Sequence, residues 1–180
     1  MNGSSSERTY GAVARTLHWL VVVLLAAQFY VGWTMPHIRK TTPQEGLVEV
    51  HMSLGALLLF VVVARLVWRI MRPTPLITTM KPWERMVARG THDLLYLLLL
   101  LIPFLGWAAA GYFGYSPHLF GMTVLPAIAN GDAEWAHTSG DVHGFLTWVL
   151  LGAAGLHVAG ALYHYFILHD RIMQRMLPGV

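Results

Sequence analysis

The chain has 180 residues, 56% of them hydrophobic and only 12% charged, with a net charge of +3 and no cysteine. The charged share is about half of the ~25% usual in soluble domains, which excludes an ordinary soluble fold. Without cysteine, disulfides, iron–sulfur clusters and thiolate metal sites are excluded as well. Ten histidines stand beside twelve lysines and arginines, a heavy imidazole load for so apolar a chain.

Residues 1–16 are polar, with Arg8 and Arg15, and lead into an apolar run from Leu17 to Met35. That run has about the length that crosses a bilayer. A cleaved signal peptide is the rival reading, but the run is long and no A-x-A site follows it. A polar connection with Pro36, Arg39, Lys40, Pro43 and Glu45 precedes a second span, about 50–68. The next loop carries PTP at Pro73 to Pro75, and its later part, Trp83 to Arg89, is expected as a short interfacial helix. A third span is expected at about 92–112, kinked at Pro103. Gly114 to Gly140 forms the longest loop, whose SPHLFGMTVLP segment is too short to span and is expected to lie in the interface. The fourth span runs over about 142–168 and is followed by Arg171 and Arg175.

Lys and Arg orient these spans. Ten lie on the side of the termini and the second loop, against two in the first loop and none in the third. The positive-inside rule then places both termini in the cytoplasm. The expected fold is all-α: a single integral membrane domain, a four-helix bundle with N-in and C-in termini. Arg69, Arg72, Arg85 and Arg89 are expected to anchor lipid headgroups, and no nucleic-acid partner is expected.

Topology gives each histidine a depth. His143 and His157 are fourteen residues apart, about 21 Å along a helix and within roughly 40° of one face. His18 matches the depth of His157, while His51 and His143 both lie near the outer end. Two cross-helix pairs follow, His18 with His157 and His51 with His143. Ionisable side chains inside a span are costly enough to signal function. Haem iron takes one axial ligand on each face, and neutral imidazole suits it. A structural zinc site would instead gather four ligands at one level. Gly32, Gly55, Gly144, Gly152, Gly155 and Gly160 would let a flat ring approach the backbone; ordinary helix packing is the other explanation for them.

The motifs LHWL (Leu17 to Leu20), VHMSLG (Val50 to Gly55) with Arg65 and Arg69 behind it, and PTP lie in the first half. GTHDLLYLLLLLIPFLGW (Gly90 to Trp107), GLHVAGALYHYF (Gly155 to Phe166) and the closing R-M-L-P complete the set. Together they resemble the bacterial cytochrome b-561 family from about Tyr10 to Pro178. The resemblance implies two haems b in a bacterial inner membrane, with His18, His51, His143 and His157 as the axial ligands. It is strongest to the superoxide:ubiquinone oxidoreductases of that family, or superoxide oxidases. It therefore implies oxidation of superoxide at the periplasmic face and reduction of ubiquinone near the cytoplasmic face. His164 and Lys81 match the family's quinone-contacting positions, although the loop around Thr78 to Met80 departs from the pattern.

Arg65 lies fourteen residues after His51 and is expected to contact a propionate or the interface. His92 and Asp93 are expected as helix-start residues, and His118 and His137 as ordinary loop residues. His37, Arg39 and Lys40 form the basic cluster of the outer face, opposed by Asp132, Glu134 and Asp141. The alternative function is a cytochrome b subunit that passes electrons between a partner redox protein and the quinone pool.

Overall fold

The computed structural model of the protein describes residues 10–73, 80–116, 118–119, 126–129, 131, 133–170 and 172–177. Thr74, Pro75, Thr78, Thr79, most of the SPHLFGMTVLP segment, Asp132, Arg171 and Pro178 lie outside them. Four helices dominate: α1 (Ala12–Thr34), α2 (Leu47–Met71), α3 (Pro82–Tyr112) and α4 (Glu134–Phe166). A short 3-10 turn at Gln174–Met176 follows, and no strand occurs among the described residues. Each of the four is long and apolar enough to cross a membrane.

Three boundaries differ from the hydropathy reading, each for a local reason. α1 begins at Ala12, because the polar turn before the apolar run continues as helix. The expected interfacial helix and third span are one helix, α3. Pro82 occupies its first turn, where a missing N–H costs nothing, and the Glu84 carboxylate accepts the Lys81 backbone N–H at 2.9 Å. Neither Gly90 nor Pro103 ends it. α4 starts at Glu134, so EWAHTSG, expected as loop, forms two helical turns outside the apolar stretch.

The interior is a layer of aliphatic side chains from all four helices. Val21 and Leu24 meet Leu58 and Val62, with Leu98, Leu99, Ile102, Leu150 and Ala153 completing the cluster. Outward faces are equally apolar: Tyr30, Phe60, Ile70, Phe145 and Phe166 are exposed, as a lipid-facing surface requires. α3 packs extensively on α4 and α1 on α2, with a smaller α2–α3 contact; α1 and α4 share no extended interface. Across that seam Trp33 and Trp148 stack, with centroids 6.3 Å apart.

The ends are tied by polar contacts. At the terminal end Arg15 donates to the Leu177 carbonyl and the Trp19 indole to the Met176 carbonyl. At the opposite end Gln44 donates to Glu49 and to the Ser116 carbonyl, Ser53 donates to the His118 carbonyl, and Tyr115 donates to Thr42. Gly111 makes the closest helix–loop approach: a Cβ there would run into the carbonyl oxygen of Ala129. Gly111→Ala is therefore expected to destabilise the fold by about 1–3 kcal/mol through overpacking. Thermal unfolding in detergent checks this, with Gly152→Ala, which adds a Cβ in open space, as the neutral control.

Candidate functional site

Each of the four helices brings two residues to the bundle interior fourteen positions apart: His18 and Gly32, His51 and Arg65, His92 and Gly106, His143 and His157. That spacing returns nearly to the same helix face. Because the helices alternate in direction, four of these residues meet near the terminal end and four near the opposite end.

At the terminal level the His18 and His157 rings face each other with centroids 6.3 Å apart and planes at 72°. At the opposite level His51 and His143 do the same at 6.2 Å and 77°. These spacings can be compared with a metal between two imidazoles. With metal–nitrogen bonds of about 2.0–2.1 Å and each nitrogen about 1.15 Å from its centroid, opposed rings sit about 6.3–6.5 Å apart. Both pairs thus have room for one metal atom between them. Among the described residues no group of three or more His, Asp or Glu gathers at a point suited to a metal ion; the interior imidazoles face one another across the helices instead.

The His51–His143 level opens into a cavity of about 700 Å³ whose lining includes both histidines, Gly32, Gly55, Gly106 and Gly144. Its size falls within the roughly 300–1,000 Å³ of sites that take small molecules and cofactors. His143 donates its Nδ1–H to the Ile102 carbonyl at 2.8 Å, which leaves a lone pair on Nε2 in the neutral ring. His51 Nδ1 is buried and has no partner among the described residues, while Gln28 donates to the His51 carbonyl at 3.0 Å and lies 3.3 Å from His51 Nε2. Glycine shapes this level. A Cβ on Gly32 would stand 3.4 Å from His51 Cε1, and one on Gly106 3.0 Å from His143 Cε1 and Nδ1. On α4 a Cβ at Gly144, Gly152, Gly155 or Gly160 would meet nothing within 4 Å. Tight helix contact does not explain those four glycines. A buried orphan nitrogen, paired donors at metal-bridging distance and a large apolar cavity fit a flat iron porphyrin between the helices.

At the terminal level Arg65 donates to His18 Nδ1 at 2.7 Å and to the Tyr96 hydroxyl at 2.9 Å. His92, expected as a helix-start residue, instead packs its ring 5.0 Å from that of His157. His164 is bound by the carboxylate of Asp170, Nδ1 to Oδ2 2.5 Å, and does not join the histidine pairs. Lys81 is exposed at the start of α3. Arg69 lies 3.7 Å from Asp93. Of the outer basic cluster, Lys40 donates to the Gly131 carbonyl and covers the Tyr112 ring, while His37 lines the cavity. His118 faces Glu49 and His137 faces Asp141, both at 3.7 Å.

Sequence reasoning missed Gln28, Gly106, Asp170 and the Ile102 carbonyl as participants. Gly106 was recoverable from its fourteen-residue spacing to His92, and Gln28 as a lone amide in an apolar span. The Ile102 carbonyl and the Asp170 turn carry no signal of that kind.

Membrane-length helices with imidazole pairs facing one another across the interior define an integral membrane bundle with nitrogen-donor sites between its helices. The chain belongs to the prokaryotic cytochrome b561 family, whose model matches residues 9–179. It is 30% identical over 179 residues to cytochrome b561 homolog 2 of Escherichia coli K12, covering 98% of this chain and 95% of that protein. It is 28% identical over 177 residues to a probable superoxide oxidase CybB of Yersinia pestis, covering 96% and 97%. Cytochrome b562 of Cereibacter sphaeroides is also 28% identical, over 178 residues, covering 96% and 98%. The protein is accordingly a multi-pass bacterial inner-membrane protein of an electron-transfer family.

One local test follows from the glycine geometry. Gly106→Ala sets a methyl group against the His143 ring and should displace it from the Ile102 carbonyl. Ring ¹⁵N NMR of histidine-labelled protein should then show a changed His143 signal, whereas Gly152→Ala, which adds a Cβ in open space two turns along α4, should leave it in place.

Proposed function

We propose that the chain holds two haems b, one between His18 and His157 and one between His51 and His143. It passes electrons from superoxide at the periplasmic face to ubiquinone near the cytoplasmic face, with both termini cytoplasmic. The observation that carries this reading is the pair of opposed imidazoles at each of two levels, both at the spacing of a bridged metal. The named activity of the Yersinia pestis relative supports the substrate, and the Lys and Arg distribution supports the orientation.

Bound haem supplies one-electron iron chemistry, and the residues of the chain arrange it. His143, held by the Ile102 carbonyl, presents Nε2 at the outer level. Binding through His18 Nε2 requires Arg65 to give up its bond to His18 Nδ1; a propionate is a strong alternative partner for a guanidinium. Two superoxide anions each lose one electron and leave as dioxygen, while ubiquinone takes up two electrons and two protons. His164 suits the proton side of that reaction. Asp170 fixes its Nδ1, so Nε2 can hold the proton delivered to a quinone oxygen. Lys81, exposed at the same end, would attract the developing negative charge. At the outer face Arg39 and Lys40, with His37 beside them, provide the cationic character that favours an anionic substrate.

Haem content separates the two sites. His157→Ala should lose mainly one haem and His51→Ala the other; retention of both haems in either variant defeats the pairing. For the activity, enzymatically generated superoxide is fed to purified, haem-loaded protein with a ubiquinone while haem reduction and quinol formation are followed. His164→Ala should keep both haems and their reduction by superoxide but form quinol about 10-fold or more slowly, in the range of a lost general acid. If superoxide reduces no haem in the wild-type protein, the chain is instead a subunit coupling a partner redox protein to quinone.

A further inference from the structure

The two histidine pairs differ in what holds the α4 ring. His143 donates its second nitrogen to a backbone carbonyl, Ile102 O. Among the described residues no carbonyl or carboxylate takes a ring N–H of His157. Its neighbour is another imidazole, His92, whose ring stands 5.0 Å away at 79°. His92 Nδ1 lies 2.6 Å from the Ala88 carbonyl. A carbonyl can only accept, so the proton of neutral His92 is on Nδ1 and its Nε2 carries a lone pair. An N–H···N bond of about 2.9 Å sets two imidazole centroids about 5 Å apart, so at 5.0 Å a rotation of the rings in place suffices to form one.

Resting on the assignment of His157 as a ligand, we propose that His92 is its positioning residue. The His92 Nε2 lone pair accepts the His157 N–H, orients the ring and strengthens it as a donor to the inner iron. The Ala88 carbonyl, His92 and His157 then form a chain ending at the metal, whereas the outer level ends at a single carbonyl. Hydrogen bonding to the far nitrogen of a ligating histidine fixes its tautomer and raises its basicity, and a more basic ligand favours the oxidised metal. An imidazole acceptor therefore lowers the inner potential relative to a ring without one. Position argues the same way. His92 is the α3 member of the inner level, as Gly106 is of the outer, so α3 presents an imidazole to one α4 histidine and a backbone carbonyl, beside a glycine, to the other.

The test uses full-length, haem-loaded His92→Leu and His92→Gln, with haem content, a redox titration of both haems and the EPR spectrum of the oxidised protein. In His92→Leu, both haems should remain, one midpoint should rise and the EPR signal of that component alone should move. His92→Gln, whose amide oxygen can accept the same bond, should return that midpoint toward wild type. Unchanged midpoints in His92→Leu at full haem content, or equal shifts of both, would overturn the proposal. So would loss of a haem in both variants, which would make His92 a structural requirement instead. If His92→Leu alone loses a haem, a wild-type midpoint in His92→Gln upholds it. Wild-type protein that binds no haem defeats the ligand assignment itself, and the first haem measurement distinguishes that failure.

Discussion

Imidazoles in the middle of a bilayer are tolerated only when something organises them, and here the organiser is the rigidity of an α-helix over fourteen residues. The interval carries a side chain about 21 Å and returns it nearly to the same face. α4 uses it for two histidines, and the other helices supply partners at the same two heights. A bend or a one-residue insertion between His143 and His157 would turn one of them by about 100° and leave it facing lipid or the core. The cross-helix ring spacings of 6.3 and 6.2 Å thus depend on helix continuity more than on any single contact.

The two levels share a plan but not a chemistry. The outer one is roomy, glycine-lined and set against a carbonyl. The inner one is crowded by Arg65, Tyr96 and His92. Positive charge beside the inner pair and its scarcity at the outer pair give the levels different electrostatic environments in a low-dielectric interior, where such differences are least screened.

Much of this was legible in the chain because hydropathy and helical period act locally. Four apolar runs give four helices, and depth counted from their ends alone brings His18 to His157 and His51 to His143. Boundaries were less legible. The turns at EWAHTSG and around Pro82 to Arg89 are polar, and a hydropathy reading stops where the membrane does, although the helix does not. The partners of His92 and His164 were hidden for another reason. His92 is defined by a ring from another helix, and His164 by a carboxylate six residues on, across a turn that includes the left-handed His169 (φ 51°). Side-chain partners set by tertiary approach leave no periodic trace.

The seam between α1 and α4, bridged by stacked Trp33 and Trp148 but without an extended interface, bears on how the molecule is made. Every histidine pair draws one ring from α4, the last of the four helices in the chain. During synthesis neither pair can exist until that final helix has been inserted. A chain stalled after α3 carries His18, His51 and His92 but no matched set. Insertion of this one helix completes both pairs at once, and the open seam leaves a lateral route into the bundle at that moment.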